Sequence, residues 1–181
     1  MKALLLIDIQ NDYFPAGKMT LVGAEKAAEN ARLILDKFRA AKLPIVHIQH
    51  IATSTTATFF LPDTEGAGIR DIVKPDRHEK LIIKHFPNSF RETALLHHLS
   101  LLNIKNLVIC GMMTHMCVDA TTRAAKDLGF GITLIADACA TKDLEVLGEN
   151  VEAAEVQKSF LAALNSFYSS VKTTQQYLDE V

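Results

Sequence analysis

Three residues combine types and positions that suit nucleophilic chemistry: Cys117, Asp8 and Lys84. Cys117 follows the short GMMTHM turn at the start of an expected helix, where backbone amides and the positive end of the helix dipole favour a thiolate. A neighbouring lysine would favour it further. The competing reading is a buried cysteine acting as a small hydrophobe. Asp8 interrupts an otherwise apolar run, and an uncompensated buried carboxylate is costly, so it must either accept loop amides or serve a function. Lys84 follows Leu81-Ile82-Ile83 and, taken alone, reads as a strand-end lysine whose stem lies along apolar surface. Convergence of the three favours the chemical reading.

Other candidates carry less. His47 and His50 in HIQH invite a metal reading, but residues three apart in a strand point to opposite faces and clamp one ion poorly. His97 and His98 are adjacent, and His115 is too close to Cys117 in the chain to be oriented as its base, so Asp8 ranks above it. Cys110 in NLVICG and Cys139 in DACAT read as packing residues. GFG at 129–131 and GAG at 66–68 lack the setting of a phosphate loop, so no cofactor is expected. Tyr13, Phe14, Phe59, Phe60, Phe90 and Met116 are candidate pocket residues, each equally explicable as core.

The elements that must position these residues alternate. Apolar strands are expected at 3–9, 44–50, 80–84, 106–110, 132–136 and 169–172. Helical periodicity covers 23–41, 93–102 and 117–128, and a broken or long helix is expected over 144–164. Ser89 and Glu92 fit a capping box ahead of the second helix. Repeated βα units with strands this apolar imply a three-layer α/β/α sandwich around a mostly parallel sheet. Ligands of such sheets bind outside the carboxyl ends of the strands, which is where Asp8, Lys84 and Cys117 fall. The segment 51–79 follows neither period and is the candidate substrate-covering loop.

Composition bounds the function class. The 181 residues suit one domain, 1–181, with one core. A net charge of -2 without long single-sign runs lacks the electrostatic footprint of a nucleic-acid binder, so a small molecule is the expected partner. The apolar start MKALLLIDIQ is short and broken by Asp8, so neither a signal peptide nor a membrane span is expected and the cytoplasm is the expected compartment. Three cysteines without CxxC spacing argue for reduced thiols.

LLLIDIQNDYF, IIKHFPNSFRETALLHHL, VICGMMTHMCVDATTRAAKDLGF and TLIADACAT occur in an order and spacing that resembles the isochorismatase-like cysteine hydrolases across nearly the whole chain. That group includes nicotinamidases and the N-carbamoylsarcosine and ureidoacrylate amidohydrolases. The resemblance implies a Rossmann-like α/β/α hydrolase fold, with Asp8 as general base, Lys84 as charge partner and Cys117 as nucleophile. It also implies a cis Met112-Met113 bond, an oxyanion hole of the Met113 and Cys117 amides, and assembly into a homo-oligomer, either dimer or tetramer. Nicotinamidases carry an Asp-x-His pair and a further His as metal ligands after the second strand, where this chain has HIQHIATST. No metal and no nicotinamide turnover are therefore expected. Isochorismatases that cleave a vinyl ether lack the nucleophilic cysteine, so ether hydrolysis is not expected either. The expected reaction is cysteine-dependent cleavage of a C-N bond in an amide, carbamoyl or ureido substrate through a thioester. A catalytically retired binding module and a thiol redox sensor are the rival classes.

Overall fold

The computed structural model describes residues 1–180. Six strands, β1 (Lys2–Ile7), β2 (Ile45–His50), β3 (Lys80–Lys84), β4 (Asn106–Met112), β5 (Gly131–Ala140) and β8 (Ser170–Lys172), form one sheet in the order β3-β2-β1-β4-β5-β8. Every pairing in it is parallel. Helices α1 (Ala24–Ala40), α2 (Leu95–Leu101), α3 (Asp119–Asp127), α4 (Ala153–Phe167) and α5 (Thr174–Leu178) cover it. Two apolar clusters separate the layers. One joins Leu4, Leu6, Ile34, Phe38 and Tyr177, and the other joins Leu5, Ile48, Leu95, Val118 and Leu164. Alternation along β1 sends successive leucines into opposite layers, the reason its sequence is apolar throughout.

The chain runs outward from β1 in both directions, so the switch point lies between β1 and β4. These strands approach closely because of Gly111, whose φ is +135°. A Cβ there would fall 2.0 Å from the Ile7 carbonyl oxygen. Only glycine fits that backbone without displacing β1.

The structure departs from the sequence expectation at three elements. Residues 144–151 are a hairpin, β6 (Leu144–Val146) and β7 (Glu149–Val151), and helix begins only at Ala153. Leu147 and Gly148 both take positive φ, 54° and 80°, the geometry of a two-residue hairpin turn that helical periodicity hides. The capping box is not formed: Ser89 bonds Thr121 at 2.8 Å across the fold, Glu92 stands at φ 55°, and α2 starts at Leu95. Helix α5, capped by Thr173 with Gln176, is too short for periodicity to register.

At the sheet end away from the site, Arg39 grips Glu79 through two bonds of 2.7 and 2.9 Å, and His47 Nε2 donates to the same carboxylate at 2.8 Å. This fixes the exit of the 51–79 segment onto β3. Burial alone would raise the Glu79 pKa, but Arg39, the Asp76 amide and His47 hold it at about 2 against 4.5 for a free side chain. A depressed carboxyl stabilises the fold fully above its unfolded pKa and loses that contribution as pH falls through the folded one. Unfolding titrations should therefore show stability lost between about pH 4.5 and 2, and Glu79→Gln should flatten that window; an unchanged slope refutes the assignment. Gly111→Ala should destabilise by about 3 kcal/mol or more in urea unfolding, from combined backbone strain and overpacking. A variant as stable as wild type would show that β1 and β4 have room to separate.

Candidate active site

Beyond Ile7 the strand stops because Asp8 turns to φ 50°, an unfavourable conformation for a residue with a Cβ. The turn is braced by its own backbone, with the Asp8 amide donating to the Ile48 carbonyl at 3.1 Å and the Gln10 amide to the Asp8 carbonyl at 2.9 Å. Its carboxylate is thereby aimed across the sheet end with no solvent exposure. Beyond β4, the Met112-Met113 bond is cis, and residues Thr114–Val118 form a single π-helical turn leading into α3. The Met113 carbonyl accepts from the Met116 and Val118 amides at 3.0 and 3.2 Å, and Thr114 Oγ1 donates to Gln157 Oε1 of α4 at 2.6 Å. Cys117 therefore sits in that turn, and regular helix begins two residues later, at Asp119, instead of at Cys117 as expected.

These two segments meet at Lys84, the last residue of β3. Its Nζ lies 2.6 Å from Asp8 Oδ2, 3.2 Å from Cys117 Sγ and 2.9 Å from His50 Nδ1. An ammonium has three donors, and these three neighbours match that number. Asp8 and Lys84 are fully buried, and Cys117 is buried. Beyond the Lys84 ion pair, neither Asp8 carboxylate oxygen has a hydrogen-bond partner among the described residues. Donor atoms of Asp8, His50 and Cys117 lie within 4.8 Å of one another, a set able to hold a metal ion. Here the cation in contact with all three is the lysine ammonium.

The electrostatics follow from burial with one cation. Burial raises the Asp8 pKa, and Lys84 opposes the rise without cancelling it. For Lys84 burial pulls downward, but its contacts with Asp8 first and Cys117 second outweigh it and hold the ammonium above its ordinary value. The Cys117 thiol is pushed up by burial and by Asp8, more than Lys84 lowers it. Helix amides and lysine were the expected influences on this sulfur, but desolvation outweighs them and holds the Cys117 pKa above its ordinary value.

Around this centre, Gln10 is fully buried and clamps β2 to the covering segment. Its Nε2 donates to the His50 and Ala67 carbonyls at 2.9 and 2.7 Å, and its Oε1 accepts from the His50 amide at 2.7 Å. Asp12 Oδ2 accepts from the Phe60 amide at 2.7 Å, pinning the 51–79 segment over the strand ends. A cavity of about 350 Å³ opens beside His50, walled by Phe59, Phe60, His85 and Phe86. A larger depression of about 570 Å³ lies around Arg39, Pro44 and Lys80 at the opposite sheet end, far from the thiol.

Among the aromatic candidates, Phe59 and Phe60 line the cavity, and Tyr13 backs them with its ring 4.6 Å from that of Phe60. Burial raises the Tyr13 phenol pKa well above its ordinary value, with Cys117 and Asp8 adding to the rise. The other three are corrections. Phe14 is core beneath the Arg70 guanidinium, Phe90 packs on Phe130 in the opposite layer, and Met116 points outward, 41% exposed. His115 bonds Thr141 at 2.6 Å and is not in the centre. Cys110 and Cys139 are buried, with burial pushing the Cys139 thiol up to about 12 and that of Cys110 well above the ordinary value. His50 was set aside with His47 as a failed metal pair; its place at the end of β2, level with Lys84 in the parallel register, was the signal available.

A family model of the isochorismatase domain matches residues 2–168. The chain belongs to the isochorismatase family. An uncharacterized family member from Bacillus subtilis (strain 168), YddQ, is 49% identical over 97% of this chain and 98% of its own length. A solved structure from Oleispira antarctica, assigned as an isochorismatase hydrolase, superposes with a TM-score of 0.95 at 47% identity, covering 99% of this chain and 96% of that one. Streptothricin hydrolase of Streptomyces noursei is 31% identical over 80% of this chain and 51% of its own length. The protein is thus an isochorismatase-family hydrolase with the family's parallel α/β fold.

Lys84→Met would leave Asp8 buried without its cation. Removing one partner of such a pair costs about 3–5 kcal/mol, and Asp8→Asn in the same chain should recover part of it. Chemical denaturation of both variants checks this, and an undiminished Lys84→Met stability would show that Asp8 does not depend on the ammonium.

Proposed function

We propose that this family member is a cysteine-dependent hydrolase that cleaves a C-N bond of a small amide, carbamoyl or ureido substrate through a thioester on Cys117. The observation that carries the reading is the contact of Lys84 Nζ with both Asp8 and Cys117 at the buried carboxyl ends of the strands. Asp8 takes the Sγ proton and the sulfur attacks the substrate carbonyl carbon. Amides of Met113 and Cys117 hold the oxyanion, and each such donor is worth about 2.7–4 kcal/mol of barrier. Asp8 returns the proton to the leaving nitrogen, the C-N bond breaks and an acyl thioester remains. Water then gives a proton to Asp8 and its oxygen to the acyl carbon, releasing the acid and restoring the thiol.

Similarity to streptothricin hydrolase, and at 25% identity to a nicotinamidase from Arabidopsis thaliana, supports a hydrolytic C-N reaction. Three unpaired cysteines fit a reducing, cytoplasmic setting. No helix among the described residues is long and apolar enough to cross a membrane.

Cys117→Ser should lower ammonia release from the best of a panel of amides, carbamoyl amines and ureido acids by roughly a thousand-fold or more while the protein stays folded. Asp8→Asn should match it and also slow iodoacetamide alkylation of Cys117, because the thiol then has no base. Wild-type turnover in Cys117→Ser would end the reading. Since the Lys84 ammonium contacts the three donors that would otherwise hold a metal, dialysis against EDTA should leave activity unchanged. Loss of activity restored by zinc or iron would show instead that a metal serves there.

A further inference from the structure

His50 has a defined chemical form because of what it touches. Its Nδ1 lies 2.9 Å from Lys84 Nζ, and an ammonium can only donate. Nδ1 must therefore be the unprotonated nitrogen, and a neutral imidazole then carries its proton on Nε2. Burial and the Lys84 charge support this by holding the His50 pKa at about 4. The Gln10 clamp on the His50 amide and carbonyl fixes the backbone that carries the ring. The ring forms part of the cavity wall, 5.8 Å from the Phe60 ring, and no aspartate, glutamate, lysine or arginine lines that cavity among the described residues. His85, also in the wall, already spends its Nδ1 proton on the Ile51 carbonyl at 2.8 Å.

We infer that His50 is a substrate-binding residue whose Nε2 proton, directed by Lys84, is offered to a hydrogen-bond acceptor on an uncharged acyl group held between Phe59, Phe60 and Phe86. This deepens the proposed function and rests on it. The cavity's aromatic walls bury apolar area, and the His50 donor, held in place by Lys84, discriminates against substrates without an acceptor, whereas the Thr53 and Ser54 hydroxyls also in the wall are free to rotate. A carboxylate on the acyl side would be desolvated with no free cation to meet it, since the Lys84 ammonium is already shared among Asp8, Cys117 and His50. Ureido acids that carry such a carboxylate are therefore disfavoured against neutral amides with a second carbonyl.

The test uses Cys117→Ala, which binds without turnover, titrated calorimetrically with malonamide, with butyramide, which lacks the second acceptor, and with malonamate, which replaces it by a charge. Malonamide should bind about five-fold more tightly than either, the worth of one neutral hydrogen bond. Adding His50→Leu should abolish the preference over butyramide. His50→Gln, which keeps an acceptor for Lys84 and a donor for the cavity, should retain most of it. Nitrogen-15 NMR of the wild-type histidines should show His50 neutral with its proton on Nε2 at pH 7. A proton on Nδ1, an imidazolium, tightest binding by malonamate, no malonamide binding at millimolar concentration, or a malonamide preference that survives His50→Leu would each overturn the inference. Wild-type turnover in Cys117→Ser would instead remove the nucleophile while leaving the His50 tautomer and the binding preference standing, so the two failures are distinguishable.

Discussion

A buried ammonium is the constraint from which the site's geometry follows. Taking Lys84 out of water is costly unless each of its three protons finds an acceptor and its charge finds an anion. Asp8 from the end of β1, His50 from the end of β2 and Cys117 from the turn after β4 supply them. One nitrogen thus links the ends of four of the six main-sheet strands, and the parallel register that sets His50 level with Lys84 makes the link reachable. Displacing any of these strands would strand a charge in an apolar interior, which ties the fold's stability to the integrity of the site.

Around that nitrogen the backbone accepts conformations it would otherwise avoid. Asp8 takes a left-handed φ so that its carboxylate leaves the plane of β1, and Gly111 lets β4 press against the Ile7 carbonyl. Gln10 and Asp12 then bind the covering segment through its backbone, with Gly66 so close that a Cβ would meet the Asp12 carboxylate at 2.2 Å. The residues between Asp8 and Asp12 therefore serve two ends at once: one directs a carboxylate inward and the others hold down the roof.

Patterns that repeat along the chain were legible in the sequence. Apolar runs mark five of the six parallel strands, and Asp8, Lys84 and Cys117 fall at or beyond the carboxyl ends of three of them, where parallel sheets collect functional groups. What stayed hidden depended on few residues or on distant partners. The β6-β7 hairpin is two three-residue strands about a Leu-Gly turn, and helix α5 has five residues, both too short for any period to appear. Ser89 had a local partner three residues on, but Thr121 of α3 won it. In sequence the neighbour of His50 is His47, but its partner in the fold, Lys84, stands on the adjacent strand. Aromatic side chains divided between cavity wall and packed core, Phe59 and Phe60 against Phe14 and Phe90, and because Phe14 shares its layer with Phe60, nothing local encodes which is which.

The raised Cys117 pKa looks adverse for a nucleophile until charge is counted across the whole centre. With an ionised Asp8, a charged Lys84 and a neutral thiol, the buried cluster carries no net charge. Ionising the thiol to solvent would add an uncompensated negative charge in a dry site, and desolvation opposes it. Moving the same proton to Asp8 leaves the sum at zero. Burial raises the pKa of acceptor and donor alike, so a proton passed directly between them avoids the cost of ionising the thiol to solvent, while Lys84 stabilises whichever of the two holds the charge. In the proposed reaction the thiolate thus appears only as the proton shifts to Asp8, and an acyl group seated against His50 is the electrophile that makes the shift productive. A freely ionised cysteine would be open to oxidants at all times; burial of Cys117 opposes that ionisation.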